Sequence, residues 1–186
     1  MALRTHTMSA RNQHRQWMLK PQDLAVAFKL ALLRGVRLSY QELVGQMHLL
    51  PFEAHAAAQR LLAARLVTDL IEIGPVQRVF ADFVCFGAAY VYPAMRTEPT
   101  IGVPTAHGVE PLKSMVMFAE ESGPVWPDAE GNARITGLLP LYDKLPKAAK
   151  TDPALYELLA LFDALRIGQA RERALAGNLL RERLAR

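Results

Sequence analysis

SYQELVGQMHLLPFEAHAAAQRLLAARLV, residues 39–67, is the stretch whose pattern decides the reading of this chain. Ser39-Tyr40-Gln41-Glu42 is a capping box, in which the Ser39 hydroxyl and the Glu42 carboxylate each satisfy an orphan backbone N–H at a helix start. A helix of about two turns is predicted to follow, ending at Met47. His48-Leu49-Leu50-Pro51 interrupts the pattern, and Pro51 can open the next helix because its missing N–H is not needed there. That helix is expected to turn Ala54, Ala57, Ala58, Leu61 and Leu62 inward, which leaves Phe52, His55, Ala56, Gln59 and Arg60 on the outer side.

Upstream, Lys20-Pro21 opens an earlier periodic segment. Leu24, Ala27, Phe28, Ala31 and Leu32 form one stripe before Gly35 ends it. Downstream, Val67 to Ile73 is rich in β-branched residues and is closed by Gly74-Pro75, which predicts a short strand or abbreviated hairpin. Three helices with a tight middle turn suit double-stranded DNA, because the major groove admits an α-helix with its side chains. On this reading Gln59 pairs with adenine, Arg60 takes guanine or a phosphate, and His55 does either more weakly. Ser39, Arg65 and Arg78 complete the expected DNA-contacting set.

The stretch from Ser39 to Val67 resembles the bacterial winged helix-turn-helix transcription regulators, in which a Ser-capped helix, a tight turn and a helix ending in an Arg-Leu pair recur. Here that pair is Arg60-Leu61, and the turn carries Leu49-Leu50-Pro51 where the family shows Leu-Ser-Pro. The resemblance implies a winged helix with the third helix as reader, acting as a homodimer at a pseudo-palindromic site. The segments FVCFGAAYVYPAMR, VPTAHG, VWPDAEG and DPALYELLALFDALRIGQARERALA resemble the second half of a group of uncharacterised bacterial proteins that join such a module to a further region. That second resemblance implies an antitoxin or autoregulator with a toxin-like or defence-associated partner.

Val79, Phe80, Phe83, Val84 and Gly87 recur at helical spacing, which predicts one buried connecting helix from Val76 through Tyr90, stopped by Pro93. Prolines and glycines concentrate in residues 93–152, where only brief strands are expected, at Ser114 to Phe118 and Ala133 to Leu138. Val116, Phe118, Trp126, Leu138, Leu141 and Tyr142 still need burial, so the region is packed and not a linker. Asp152-Pro153 restarts helix, with Leu155, Leu158, Leu159, Phe162 and Leu165 on a broad apolar face up to Gly168. A last helix from Gln169 carries Leu175, Leu179, Leu180 and Leu184, a stripe that predicts dimerisation, the alternatives being a second phosphate-binding surface and packing on its own domain. Arg171, Arg173, Arg181, Arg183 and Arg186 line its exposed side.

The expected architecture is therefore mainly α with minor β: a winged helix-turn-helix followed by a smaller, irregular α+β region ending in two helices. Residues 1–18 form a flexible basic arm or a frayed terminus with Met8 as another start, and 19–75 the DNA-binding domain. Residues 76–92 form the connecting helix, and 93–186 a region that dimerises, senses or holds a partner.

Composition narrows the function classes. Lys plus Arg number 22 against 18 for Asp plus Glu, a formal +4, a small excess that suits a polyanionic partner. The single cysteine, Cys85, excludes an intramolecular disulfide and a multi-cysteine zinc site, and its apolar neighbours mark it as a small core residue. No apolar run reaches the length of a membrane helix and the first residues lack a secretory signal, which predicts a soluble, cytoplasmic protein without membrane contact.

Enzymatic readings lack their supports. His107, between turn formers in Val103 to Gly108, has no second ligand at fixed spacing, and His6, His14, His48 and His55 occur singly, so no metal and no cofactor are expected. Trp126-Pro127-Asp128 resembles the movable loop of tyrosine phosphatases, yet Cys85 is not followed by the arginine of a phosphate cradle. Nucleotide-binding and hydrolase signatures are missing as well. The sequence thus points away from an enzyme and toward a DNA-binding repressor or autoregulator. A protein-binding adaptor or antitoxin whose C-terminal region masks a partner is the alternative.

Overall fold

Helix α1, Pro21–Leu33, buries every residue from Asp23 to Leu30. The computed structural model describes residues 17–33, 36, 38–68, 77–115 and 123–185, which leaves the expected basic arm largely outside the described residues. A single stripe was expected of α1, and the structure encloses it on all sides. A helix apolar all round belongs in a core, and the run Leu24-Ala25-Val26-Ala27-Phe28 fits that place.

Helix α2, Tyr40–Met47, starts at the capping box read from the sequence: Glu42 N–H donates to Ser39 Oγ at 3.2 Å, and Ser39 N–H donates to Glu42 Oε2 at 2.8 Å. His48 ends α2 in the left-handed region, φ 50°, Leu49 drops into the core, and extended Leu50 begins helix α3, Pro51–Ala63. Leu50 has no side-chain oxygen to cap α3, but its own N–H donates to Glu53 Oε2 at 2.9 Å. Ala54, Ala57, Ala58 and Leu61 face inward as expected. Arg65 then adopts φ 57°, and Leu66 and Val67 return to the core. Val67 sits at an isolated bridge, and the rest of the expected wing strand lies, apart from exposed Thr68, outside the described residues.

Helix α4 runs over Gln77–Phe83, continues through a π-helical turn at Val84–Ala88 and closes with an α turn at Ala89–Val91. Its buried row is Phe80, Val84, Ala88 and Tyr92, a strict spacing of four. On a regular helix such a row winds around the axis, whereas the wider π turn, with i→i+5 bonding, keeps it facing one way. Val79, expected inside, is exposed on the other side.

Strand β1 (Arg96–Pro104), strand β2 (Val125–Pro127) and strand β3 (Ala133–Leu138) close on one another. β1 runs antiparallel to β3 from Arg96↔Leu138 to Gly102↔Ala133, with an irregularity between Thr97 and Pro99. β1 also runs antiparallel to β2 from Gly102↔Pro127 to Pro104↔Val125, and β2 meets β3 in parallel at Val125↔Gly137. Gly102 is required at this crossing, since a Cβ there would lie 2.0 Å from the Trp126 carbonyl oxygen. β3 falls where a strand was predicted. Ser114 and Met115, expected to open a strand, instead close the one-turn helix α5, Leu112–Met115, and residues 116–118 lie outside the described residues.

Helices α6 (Leu145–Thr151), α7 (Pro153–Ile167) and α8 (Ala170–Ala185) complete the chain. Asp152 caps α7 by accepting from Leu155 N–H at 3.0 Å and also pairs with Lys29 of α1 at 2.7 Å. α8 folds back on α7, fixed by Arg183 on Glu157 at 2.7 Å. Its leucines are consumed there: Leu179, Leu180 and Leu184 are buried within this chain and Leu175 half-buried. The predicted dimerisation stripe is thus an internal seam, which leaves no leucine row for a second copy. Phe28 of α1 meets Phe80 of α4 at 5.2 Å and Phe162 of α7 at 5.8 Å between centroids. The apolar core accordingly runs unbroken from Leu24 to Leu184, across the boundaries expected near residues 75 and 93.

Candidate nucleic-acid interface

The outward side of α3 carries most of the residues singled out from the sequence, with one exception. Phe52 is 69% exposed, His55 is exposed, and Ala56 and Gln59 are half-buried on the same side. Arg60 is the exception. Expected to point outward, it lies only three residues beyond buried Ala57 and turns inward, 5% exposed. Its Nε and Nη2 donate to Asp23 Oδ2 and Oδ1 at 2.6 and 2.7 Å, a two-pronged bond to a carboxylate with no exposed surface. Asp23 Oδ2 also accepts the Lys20 backbone N–H at 2.7 Å. Arg60 thus joins α3 to the start of α1 and cannot reach a groove without abandoning a buried charge.

The other predicted contacts lie at the margins. Arg65 is exposed just beyond α3, and Arg78 is exposed near the start of α4. The Ser39 hydroxyl donates to Glu42 Oε2 at 2.7 Å, so its proton is engaged in the cap. The side-chain and backbone bonds from Ser39 hold the Glu42 carboxyl below the ordinary carboxylate range. Tyr40 packs its ring on His55, centroids 5.7 Å apart, and burial pushes the Tyr40 phenol up. The face thus offers an imidazole, an amide and an aromatic ring, with cations at its edges.

The turn between α2 and α3 is braced from the C-terminal half. Tyr142 Oη donates to the Met47 carbonyl at 2.8 Å, and burial raises the Tyr142 phenol well above its ordinary value. A cavity of about 450 Å³ opens beside it between His48, Glu53 and Lys144. The turn that leads into α3 is therefore held by a residue 95 positions along the chain from Met47.

Segments read from the sequence as motifs converge on a second buried carboxylate, Asp163 of α7, 2% exposed. Thr105 Oγ1 and Trp126 Nε1 both donate to its Oδ2, at 2.8 and 2.7 Å. Arg166 donates to Oδ1 from Nε at 3.1 Å and again from Nη2, and its Nη1 reaches the Tyr92 carbonyl at 3.3 Å. The Val103-Pro104-Thr105 and Val125-Trp126-Pro127 stretches are thereby fastened to α7. His107 is half-buried on the one-turn 3-10 helix Ala106–Gly108.

The sequence reading missed Asp23 and Asp163, yet both left a signal. Each is a lone acid inside an apolar helical run, PQDLAVAFKL and LLALFDALRI, and carboxylates are almost never fully buried unless paired. Among the described residues no group of three His, Cys, Asp or Glu side chains is placed to hold a metal ion. No described helix is long and apolar enough to cross a membrane. No protein-family model matches this chain, and neither the curated proteins nor the solved structures contain a significant match to it.

Proposed function

We propose that the chain binds duplex DNA through the outward side of α3 and acts as a non-enzymatic repressor or autoregulator. One observation carries this reading. The three-residue turn, with left-handed His48 and buried Leu49, sets α3 beside α2 so that one side is packed while Phe52 and His55 stay open and Gln59 is half-buried. A single helix presented in this way fits the width of the major groove. In this reading Gln59 pairs with an adenine edge, His55 accepts or donates at a neighbouring base, and Phe52 and Ala56 meet thymine methyls. Arg65 and Arg78 contact phosphates, and Arg60 holds the reader in place from behind. As a homodimer, the protein would span two half-sites about one helical turn apart, joined through a surface other than the α8 leucines.

The test is fluorescence anisotropy on the duplex upstream of the chain's own coding sequence against a scrambled duplex of equal length, over a salt series. The upstream duplex is expected to bind more tightly, and His55→Ala with Gln59→Ala to remove that preference, each base contact contributing about 1–3 kcal/mol. Arg65→Ala should weaken both duplexes alike and lower the salt slope by about one unit. Equal or absent binding overturns the proposal. A protein-binding adaptor or antitoxin is favoured instead by one feature, the adjacent exposure of Leu50 and Phe52 at 49% and 69%.

A further inference from the structure

A groove of about 510 Å³ lies between α4 and α8, far along the sequence from α3, within the roughly 300–1,000 Å³ typical of small-molecule sites. One wall is aromatic. Phe86 and Tyr90 stand one turn apart on α4 and are 65% and 80% exposed, large rings left in water where a packed helix would ordinarily turn them in. The other wall is cationic. Arg173 and Arg181 lie on α8 with Gly177 midway, eight residues or about 12 Å apart along the axis.

The charge balance within the groove is one-sided. Arg166 reaches its edge but is already matched by Asp163. Among the described residues Arg173 and Arg181 make no ion pair, and no carboxylate lines the groove. Arg181 lies over the Phe86 ring at 5.2 Å and donates to Asn178 Oδ1 at 3.2 Å, so one guanidinium already sits against the aromatic wall. Burial pushes the Cys85 thiol up, with the Asp82 carboxylate adding to the shift from outside the groove lining and Arg181 opposing it, which keeps the floor uncharged.

Local backbone geometry produces this arrangement. The π turn Val84–Ala88 ends one residue before Ala89. It keeps Val84 and Ala88 inside while Phe86 and Tyr90 clear the surface together. Such turns are uncommon and recur at functional sites. On the facing helix a Cβ at Gly177 would make an ordinary contact with Leu165 at 3.7 Å, and the glycine lines the groove between the two arginines.

We propose that this groove binds a nucleotide, a flat heteroaromatic ring carrying a phosphate, with the ring against Phe86 and Tyr90 and the phosphate between Arg173 and Arg181. Aromatic side chains stack on any base because every base has a π-face. A guanidinium fork matches phosphate oxygens in two-pronged fashion. A monocarboxylate satisfies one fork, whereas a phosphate near −2 charge can engage two. The inference does not depend on the DNA reading, since α3 contributes nothing to this groove.

Isothermal titration calorimetry on the full chain tests it, with the four common nucleoside 5′-monophosphates, inorganic phosphate, adenosine and a short single-stranded oligonucleotide as separate arms. At least one mononucleotide is expected to saturate with Kd below about 1 mM, with phosphate and adenosine each about tenfold weaker or worse. Arg173→Ala and Arg181→Ala should each reduce affinity about tenfold, and Phe86→Ala should do so through lost stacking. All three positions are exposed, and unchanged thermal melts verify the fold. The proposal is overturned if no mononucleotide saturates at several times that concentration. Binding indifferent to both arginine changes overturns it too, as does an oligonucleotide that binds where mononucleotides do not.

Discussion

Replacing Asp23 by alanine tests the buried architecture most sharply. The change removes two bonds of 2.6 and 2.7 Å and leaves the Arg60 guanidinium, with 6% side-chain exposure, without its carboxylate. Breaking one side of a buried ion pair costs about 3–5 kcal/mol, because a charge is left unpaired away from water. In a chain of this size each kcal/mol lowers Tm by about 2–4 °C, so the drop should fall in the range of roughly 6–20 °C by far-UV circular dichroism. Removing both charges together, Asp23→Leu with Arg60→Met, should restore stability to within about 1 kcal/mol of the parent or exceed it. This double variant should also keep its preference for the upstream duplex. A loss under about 1 kcal/mol for Asp23→Ala, the magnitude of a surface pair, would refute the reasoning. So would a well-folded double variant that no longer distinguishes the two duplexes, since Arg60 would then be reading bases.

Ser39→Ala should destabilise α2 by about 1 kcal/mol, measured by urea unfolding, through loss of the cap. The same change should return Glu42 toward the ordinary carboxylate range in an NMR titration. Because Glu42 titrates low when folded, its contribution is present at neutral pH and disappears as pH falls through that depressed value. Tyr156, whose hydroxyl donates to the Pro104 carbonyl, has its phenol pushed by burial up to about 12. Its contribution to stability should hold below the ordinary tyrosine value and be lost as pH rises through about 12, visible as tyrosinate absorbance coinciding with unfolding. Trp126→Phe removes one donor from Asp163 and should cost about 1.5–3 kcal/mol. Trp17→Phe alone should leave a protein whose tryptophan emission is blue-shifted, because Trp126 has no exposed surface while Trp17 is 50% exposed.

Elements whose local chemistry and tertiary role agree were legible from sequence. α2 announced itself through Ser39 and Glu42, α3 through Pro51 and its alanine row, and α7 through Asp152-Pro153. β1 was hidden because Pro99, Gly102 and Pro104 read as turn formers, whereas in the fold a ladder irregularity and a close strand crossing accommodate them. The α8 leucines illustrate a different limit: a helix that packs on its own chain and one that packs on a second copy need the same apolar stripe. Arg60 sits at the border of a helical wheel, and only the distant position of Asp23 decides which way it turns. The groove between α4 and α8 depends on a π turn, which no residue pattern announced.

The enclosure of α1 bears on how this protein can be handled. In a detachable cassette the first helix of the trio covers its two neighbours and shows its back to water, so the unit can be grafted onto another host. Here that back is Phe28 against Phe80 and Phe162, with Lys29 tied to Asp152. Excising residues 19–75 would strip a continuous apolar flank and orphan an ammonium, and chimeras cut there would inherit an aggregation-prone surface. The N-terminal trio and the C-terminal helices share one apolar core, so a cut between them exposes packed surface.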